Sequence, residues 1–190
     1  MASQVLLIKP KRFVDDRGWF CEPYNKNRFK DLGIADDFVQ DNQSLSVRAG
    51  TLRGLHFQTP PHQQGKLVRC VTGKIFDVVV DIRRGSPTYG QWVGAELNAE
   101  NGYQLYVPAG YAHGFLTLEE STEVMYKVTD FYAPKNDAGL QWNDPQINIR
   151  WPFLEGVEPL LSPKDQAQAL LADFDSPFLY DGVPMSLVEV

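Results

Sequence analysis

Along most of the chain the apolar residues come in short runs rich in Val, Ile, Phe, Tyr and Thr, broken at short intervals by glycine and proline. That pattern predicts many strands joined by turns. Strands are expected near 4–9, 38–46, 51–58, 66–72, 74–82, 90–97, 103–107, 114–118 and 122–132. Their number suits an all-β sandwich or closed barrel with a few short helices. Helical signals are weak over 25–32 and stronger over 162–172, where Ser162 can cap, Pro163 suits the first helical position and Asp165 favours the first turn.

Consecutive strand residues point to opposite faces, so alternation shows which side chains travel together. In 74–82, Phe76, Val78, Val80 and Ile82 share one face, opposite Ile75, Asp77, Val79 and Asp81. The second face thus carries two carboxylates among β-branched residues. In 122–132, Val124, Tyr126, Val128, Asp130 and Tyr132 fall together, which puts two tyrosines on one side.

The length of 190 residues suits one domain over 1–190, with 172–190 as a C-terminal arm that packs on the domain or on a neighbouring subunit and is disposable to the fold class. A formal net charge of −6 argues against general affinity for nucleic-acid phosphates, so an anionic ligand must be met by local cations. Cys21 and Cys70 lack the clustered spacing of zinc sites and read as free thiols. The apolar run near the amino terminus is too short for a signal peptide or a membrane span, and a cytoplasmic protein is the default expectation.

Three clusters carry candidate chemistry. In the first, Arg53, His56, Gln58 and Lys66 gather a cation, an imidazole, an amide and an amine around one strand and loop. Arg53 and His56 are three apart, so a regular strand would place them on opposite faces, and Gly54 is a candidate bulge that redirects one of them. In the second, Val107 to Phe115, a Pro/Gly turn presents His113. The third spans Asp15 to Glu22 and then Gln40 to Ser44; taken alone it also reads as a turn with a buried aromatic followed by a polar strand. His56, His62 and His113 show no metal-ligand spacing, and no phosphate loop, nucleophile elbow or Cys-centred nucleophile is present.

Taken in order, Asp-x-Arg-Gly-x-Phe, Gln-x-Asn-x-Ser, Arg-Gly-Leu-His-x-Gln, Lys-Leu-Val, Gly-Ser-Pro-Thr, Pro-x-Gly-x-x-His-Gly-Phe, Tyr-Lys-Val-Thr-x-x-Tyr, Trp-Asn-Asp-Pro and Leu-Ser-x-Lys-Asp resemble the dTDP-4-dehydrorhamnose 3,5-epimerases over residues 4 to 171. The resemblance implies a cupin-type jelly-roll barrel, a homodimer with strand exchange, and a dTDP-sugar bound in the barrel mouth. The implied reaction inverts C3 and C5 of dTDP-4-dehydro-6-deoxyglucose without a metal or organic cofactor. Related enzymes that invert only C3 or only C5 keep most of the same residues, so a mono-epimerase is the alternative; a cupin that binds without turnover and a metal-dependent cupin oxygenase are alternatives of other classes.

By the same resemblance His56 is the base, oriented by Asp165, Tyr126 is the acid, and Lys66 stabilises the enolate oxygen, with Asp77 positioned to hold its ammonium. Tyr132 matches a contact to the sugar ring, and His113 a further pocket residue. Arg53 matches a diphosphate ligand, Gln40 and Asn42 supply polar contacts, and Arg17, Phe20 and Glu22 match nucleotide-binding positions on a segment that reaches in part into the partner subunit. The chemistry agrees: an imidazole, ordinarily near a pKa of ~6.5, accepts protons near neutrality, and a carboxylate on its other nitrogen fixes the tautomer.

Overall fold

The computed structural model describes residues 4–190. In chain order the elements are β1 (Val5–Ile8), β2 (Arg12–Asp15), β3 (Gly18–Cys21), α1 (Lys26–Asp31), β4 (Gln40–Ser46), β5 (Leu52–Gln58), β6 (Lys66–Thr72) and β7 (Lys74–Asp81). They continue with β8 (Trp92–Asn98), β9 (Gln104–Val107), β10 (Tyr111–Thr117), β11 (Thr122–Val128), β12 (Asp137–Gly139), α2 (Pro163–Gln166), a 3₁₀ turn (Leu171–Asp173) and β13 (Leu187–Glu189). The strands form a six-stranded sheet, β13-β1-β9-β6-β11-β4, a five-stranded sheet, β12-β5-β10-β7-β8, and a hairpin, β2-β3.

The two larger sheets face each other. Val5, Leu7, Val68, Leu105 and Val124 of the first pack against Ile75, Val79, Leu97 and Phe115 of the second, making the interior of an all-β jelly roll. On the outer face of the five-stranded sheet, Leu52, Leu55, Val78, Val80 and Leu116 are covered by Leu140, Ile147, Trp151 and Phe178. On the outer face of the other, Leu6, Ile8, Leu67 and Tyr106 are covered by Phe29 of α1 and by Ile34. Fully burying one such side chain contributes roughly 1.5–3 kcal/mol. The alternation expected for 74–82 holds: Ile75 and Val79 point inward, and Val78, Val80 and Ile82 outward.

All nine expected strands form, with shifted ends, whereas β2, β3, β12 and β13 have no counterpart in the sequence reading. The segment expected to be helical over 162–172 keeps only the four residues of α2 and the short turn at Leu171. Its cap is as expected, but Gln141 N–H donates to Ala169 O and Leu171 N–H to Asp144 Oδ2, so the backbone bonds outward to neighbouring chain instead of along a helix. By contrast α1, the weaker signal, is the longer helix, capped by Asn25 Oδ1.

The C-terminal arm is built into the fold. Phe174 and Phe178 pack tilted and edge-on against Phe57, Met185 enters the inter-sheet core, and β13 pairs parallel with β1. Arg83 anchors the arm. It grips the buried Asp81 through Nε and Nη2 at 3.0 and 2.9 Å, and donates from Nη1 to Asp181 and from Nη2 to Val183 O. Ser86 and Thr88, from Gly-Ser-Pro-Thr, donate to Asp81 Oδ2 at 2.6 and 2.7 Å. Burial raises the Asp81 pKa, but these hydrogen bonds outweigh it and hold the carboxyl below its ordinary value.

The bulge suspected at Gly54 is present. Pairing between β5 and β10 slips between His113↔His56 and Phe115↔Arg53. Leu52 and Leu55, three apart, therefore both face the outer layer. Gly54 sits at φ +135°, and a Cβ there would lie 2.5 Å from Gly114 Cα. Because both the dihedral and the neighbouring backbone forbid a side chain, Gly54→Ala is expected to cost about 2–4 kcal/mol, read as a lower denaturation midpoint in urea; unchanged stability would show that the close approach relaxes freely.

Candidate active site

A cavity of about 240 Å³ opens at one end of the sandwich. The six-stranded sheet lines it with Gln40 and Asn42 from β4, Lys66 from β6 and Tyr126 from β11. Register explains the grouping: Tyr126 lies opposite both Asn42 and Val68, and Val128 opposite both Gln40 and Lys66. The five-stranded sheet contributes His56 and Gln58, two apart on β5, and Asp137 from β12. Gln64, Tyr132 and Lys164 complete the wall.

His56 Nε2 is hydrogen bonded to Asp165 Oδ1, with the imidazole side chain 31% and the carboxylate 4% exposed. Asp165 is held by its own helix start. Its N–H donates to Ser162 Oγ at 3.1 Å, and the Ser162 hydroxyl donates to Asp165 Oδ2 at 2.7 Å. Burial raises the Asp165 pKa, but the hydrogen bonds from His56 and Ser162, the His56 charge and the Gly54 N–H overcome it and leave the group below its ordinary value. The carboxylate is thereby kept ionised beside the imidazole.

Lys66 reaches across the sandwich and donates to His56 O at 3.1 Å. Burial dominates over the nearby Asp77 and Asp137 charges and lowers its pKa to about 8. The expected hydrogen bond from this ammonium to Asp77 is not formed. Asp77 Oδ1 bonds His113 Nε2 at 2.6 Å, while its Oδ2 has no hydrogen-bond partner among the described residues. The reason is register: Asp77 and His113 both point inward from neighbouring strands of one sheet, below the cavity, and His113 is the cross-strand partner of His56. Burial lowers the His113 pKa against the pull of Asp77. Neither residue lines the cavity.

Tyr126 is partly buried, and burial raises its pKa against the opposing Arg53 guanidinium, so the phenol keeps its proton. Tyr132 lies beyond the end of β11, yet it faces the same cavity. Its hydroxyl donates to Asp137 Oδ2 at 3.0 Å, which raises its pKa. Asp137 also pairs with Lys164 at 2.5 Å. Arg53 does not line the cavity; it donates to Ser46 Oγ and Leu45 O, each at 3.2 Å, with its charge near Tyr126.

The structure does not bring Arg17, Phe20 and Glu22 to this cavity. Arg17 pairs with Asp15, Glu22 with Arg28 at 3.4 Å, and Phe20 is exposed on the β2-β3 hairpin. Conversely, Gln64, Asp137 and Lys164 line the cavity without a role assigned from the sequence, as does Gln58, which the sequence places in the first cluster but gives no specific role. Gln58 shares a strand face with His56, and Lys164 precedes Asp165, so both were within reach of the motifs. Asp137 arrives only through the β12–β5 pairing, a long-range contact without a local signal. Among the described residues no group of three or more His, Cys, Asp or Glu side chains converges to hold a metal ion.

A family model described as dTDP-4-dehydrorhamnose 3,5-epimerase matches residues 2–173. A protein named dTDP-4-dehydrorhamnose 3,5-epimerase from Sinorhizobium fredii is 52% identical over 179 residues, covering 94% of this chain and 90% of the relative. A crystal structure of dTDP-4-dehydrorhamnose 3,5-epimerase from Bacillus anthracis, with TDP and PPi bound, superposes with a TM-score of 0.82 at 50% identity, covering 85% of this chain and 91% of that one. A dTDP-6-deoxy-D-glucose-3,5-epimerase from Legionella pneumophila in complex with dTDP-4-keto-L-rhamnose gives 0.84 at 45% identity, covering 90% and 95%. The jelly roll is accordingly of the cupin type, and the chain belongs to the dTDP-4-dehydrorhamnose 3,5-epimerase family.

Proposed function

We propose that this chain inverts C3 and C5 of dTDP-4-dehydro-6-deoxy-D-glucose, giving dTDP-4-dehydro-L-rhamnose in the formation of dTDP-L-rhamnose. One observation carries the reading: His56 and Tyr126 project from opposite sheets into the same cavity, beside the buried amine of Lys66. Inversion needs a base on one side of the sugar ring and an acid on the other, because a single group would return the proton to the face it came from.

With Nε2 donating to Asp165, the His56 lone pair lies on Nδ1. That atom takes the proton from C3 or C5, and Asp165 stabilises the imidazolium formed. The electron pair left on carbon is shared with the C4 ketone oxygen as an enolate, and the Lys66 ammonium stands as its counter-charge. The Tyr126 hydroxyl then protonates the opposite face of the carbon. Solvent restores the proton of Tyr126 and removes that of His56, so each inversion is balanced. Tyr132 packs on the sugar ring. Arg53 binds the diphosphate, with Gln40 and Asn42 as polar contacts.

The working unit in this reading is a homodimer. The β2-β3 hairpin carries Phe13, Val14, Trp19 and Phe20 at 52, 78, 57 and 68% exposure, away from its own cavity, which suits insertion beside the cavity of a second copy with Arg17 and Glu22 at the nucleotide.

In deuterated water, NMR of the turning-over sugar nucleotide is expected to show deuterium at both C3 and C5; label at one carbon alone would identify a mono-epimerase instead. Tyr126→Phe should slow inversion at least about tenfold more than it slows exchange, because His56 can still remove and return a proton, and equal losses would remove Tyr126 from the acid role. Lys66 generates two linked expectations. Its charged form lies below its pKa, so kcat/KM should fall as pH rises through about 8, and in Lys66→Met the rate should drop about 100-fold or more with that limb absent.

The second expectation concerns stability. Between about 8 and the ordinary lysine value of 10.5 the unfolded chain binds a proton that the folded one lacks, so stability rises with pH across that window. Below it the full cost of the buried charge applies, about 3 kcal/mol. Lys66→Met should therefore raise the melting temperature at pH 7, measured by calorimetry, while it removes activity.

A further inference from the structure

Arg-Gly-Leu-His-x-Gln ends on Gln58, the motif residue to which the reaction assigns nothing. Gln58 is 4% exposed, and its carboxamide is fully committed. Nε2 donates to His62 O at 2.6 Å and to Phe131 O at 3.2 Å, and Oε1 accepts from Ala133 N–H at 2.8 Å. Phe131 and Ala133 flank Tyr132. The side chain thus does what a neighbouring strand would do, pairing with the peptide groups on either side of one residue after β11 has ended at Val128.

Tyr132 needs such a hold because packing gives it little: it is 58% exposed, and its remaining ties are its N–H to Gln40 Oε1 at 3.2 Å and its hydroxyl to Asp137. Gln58 also stands two residues from His56 on the same strand face, so one rigid strand sets both the imidazole and the loop that presents the phenol ring.

We propose that Gln58 is a positioning residue for this reaction: through its carboxamide it fixes Tyr132 against the sugar ring in register with His56. The proposal rests on the reading of Tyr132 as a sugar contact. It requires an amide specifically, since the site asks one end to donate twice and the other to accept. A carboxylate at this position has no proton for the two carbonyls, and an aliphatic side chain leaves all three backbone groups unpaired. The surrounding loops have ties of their own. Asn136 Nδ2 donates to Thr59 O and Pro60 O, Gln64 Nε2 to Asp130 O, and Gly65 N–H to Thr129 Oγ1. Loss of the Gln58 carboxamide therefore loosens Tyr132 while the neighbouring loops keep their own hydrogen bonds.

The test is a double-mutant cycle on the full chain, with Gln58→Leu and Tyr132→Ala, reading KM and kcat for the 4-keto sugar nucleotide and, separately, affinity for dTDP. Gln58→Leu is expected to raise KM about 10-fold with dTDP affinity unchanged, and to add less than about twofold in the Tyr132→Ala background. The same loss in both backgrounds, or no loss in the single variant, overturns the proposal. Tyr132→Ala with unchanged KM would instead overturn the Tyr132 reading, so the two failures are told apart. Should Gln58→Leu not fold, as judged by circular dichroism and melting, Gln58→Glu replaces it in the same cycle, with the same expected non-additivity and the same overturning result.

Discussion

The close passage of Gly54 against Gly114 is the constraint on which the site depends. Two backbones approach there without side chains, and one residue is added to β5 relative to its partner. From that point the strand is in a new phase. Leu52 and Leu55 can both join the outer layer, while His56 faces the cavity and Arg53 lies opposite the inward-facing Phe115. The outer layer in turn carries the chain from Leu140 through Leu171 across the sheet. On that path lies the short helix whose capped start delivers Asp165 to His56. The His56 imidazole, the Asp165 carboxylate and the Arg53 guanidinium are thus placed by one local departure from ideal pairing.

Burial acts on the charged groups here in opposite directions, and hydrogen bonding decides the outcome. Asp81 and Asp165 are both buried, yet each is surrounded by donors and stays ionised. Lys66 donates to a carbonyl, with no carboxylate bonded to its amine among the described residues, and is pushed toward neutrality. Asp81 serves architecture and Asp165 the imidazole. Lys66 is the group whose burial the fold tolerates at a cost, and such unfavourable placements collect where chemistry is done.

Much of this was legible in the sequence. Alternation separated the inward face of β7 from its outward face, and the three-residue spacing of Arg53 and His56 across a glycine pointed to the bulge. The count that joined Tyr126 and Tyr132 ran past the end of β11; both nonetheless face the cavity, because Gln58 and Gln40 hold the loop in place of a strand partner. What stayed hidden was non-local. Asp137 enters by a three-residue strand with no hydrophobic pattern of its own. The helix expected over 162–172 gives way to bonds with Gln141 and Asp144 that no local propensity encodes. The two carboxylates of β7 looked equivalent by alternation, yet Asp77 meets an imidazole and Asp81 a guanidinium with two hydroxyls.

The C-terminal arm has a consequence for how the molecule is made. The matched family segment ends at residue 173, but Met185 fills the interior and Leu187–Glu189 completes the sheet beside Val5–Leu7. During synthesis the first strand emerges long before this partner. One edge of the six-stranded sheet therefore stays uncovered until Leu187–Glu189 has been made, which leaves a window in which that edge can accept a strand from another nascent copy.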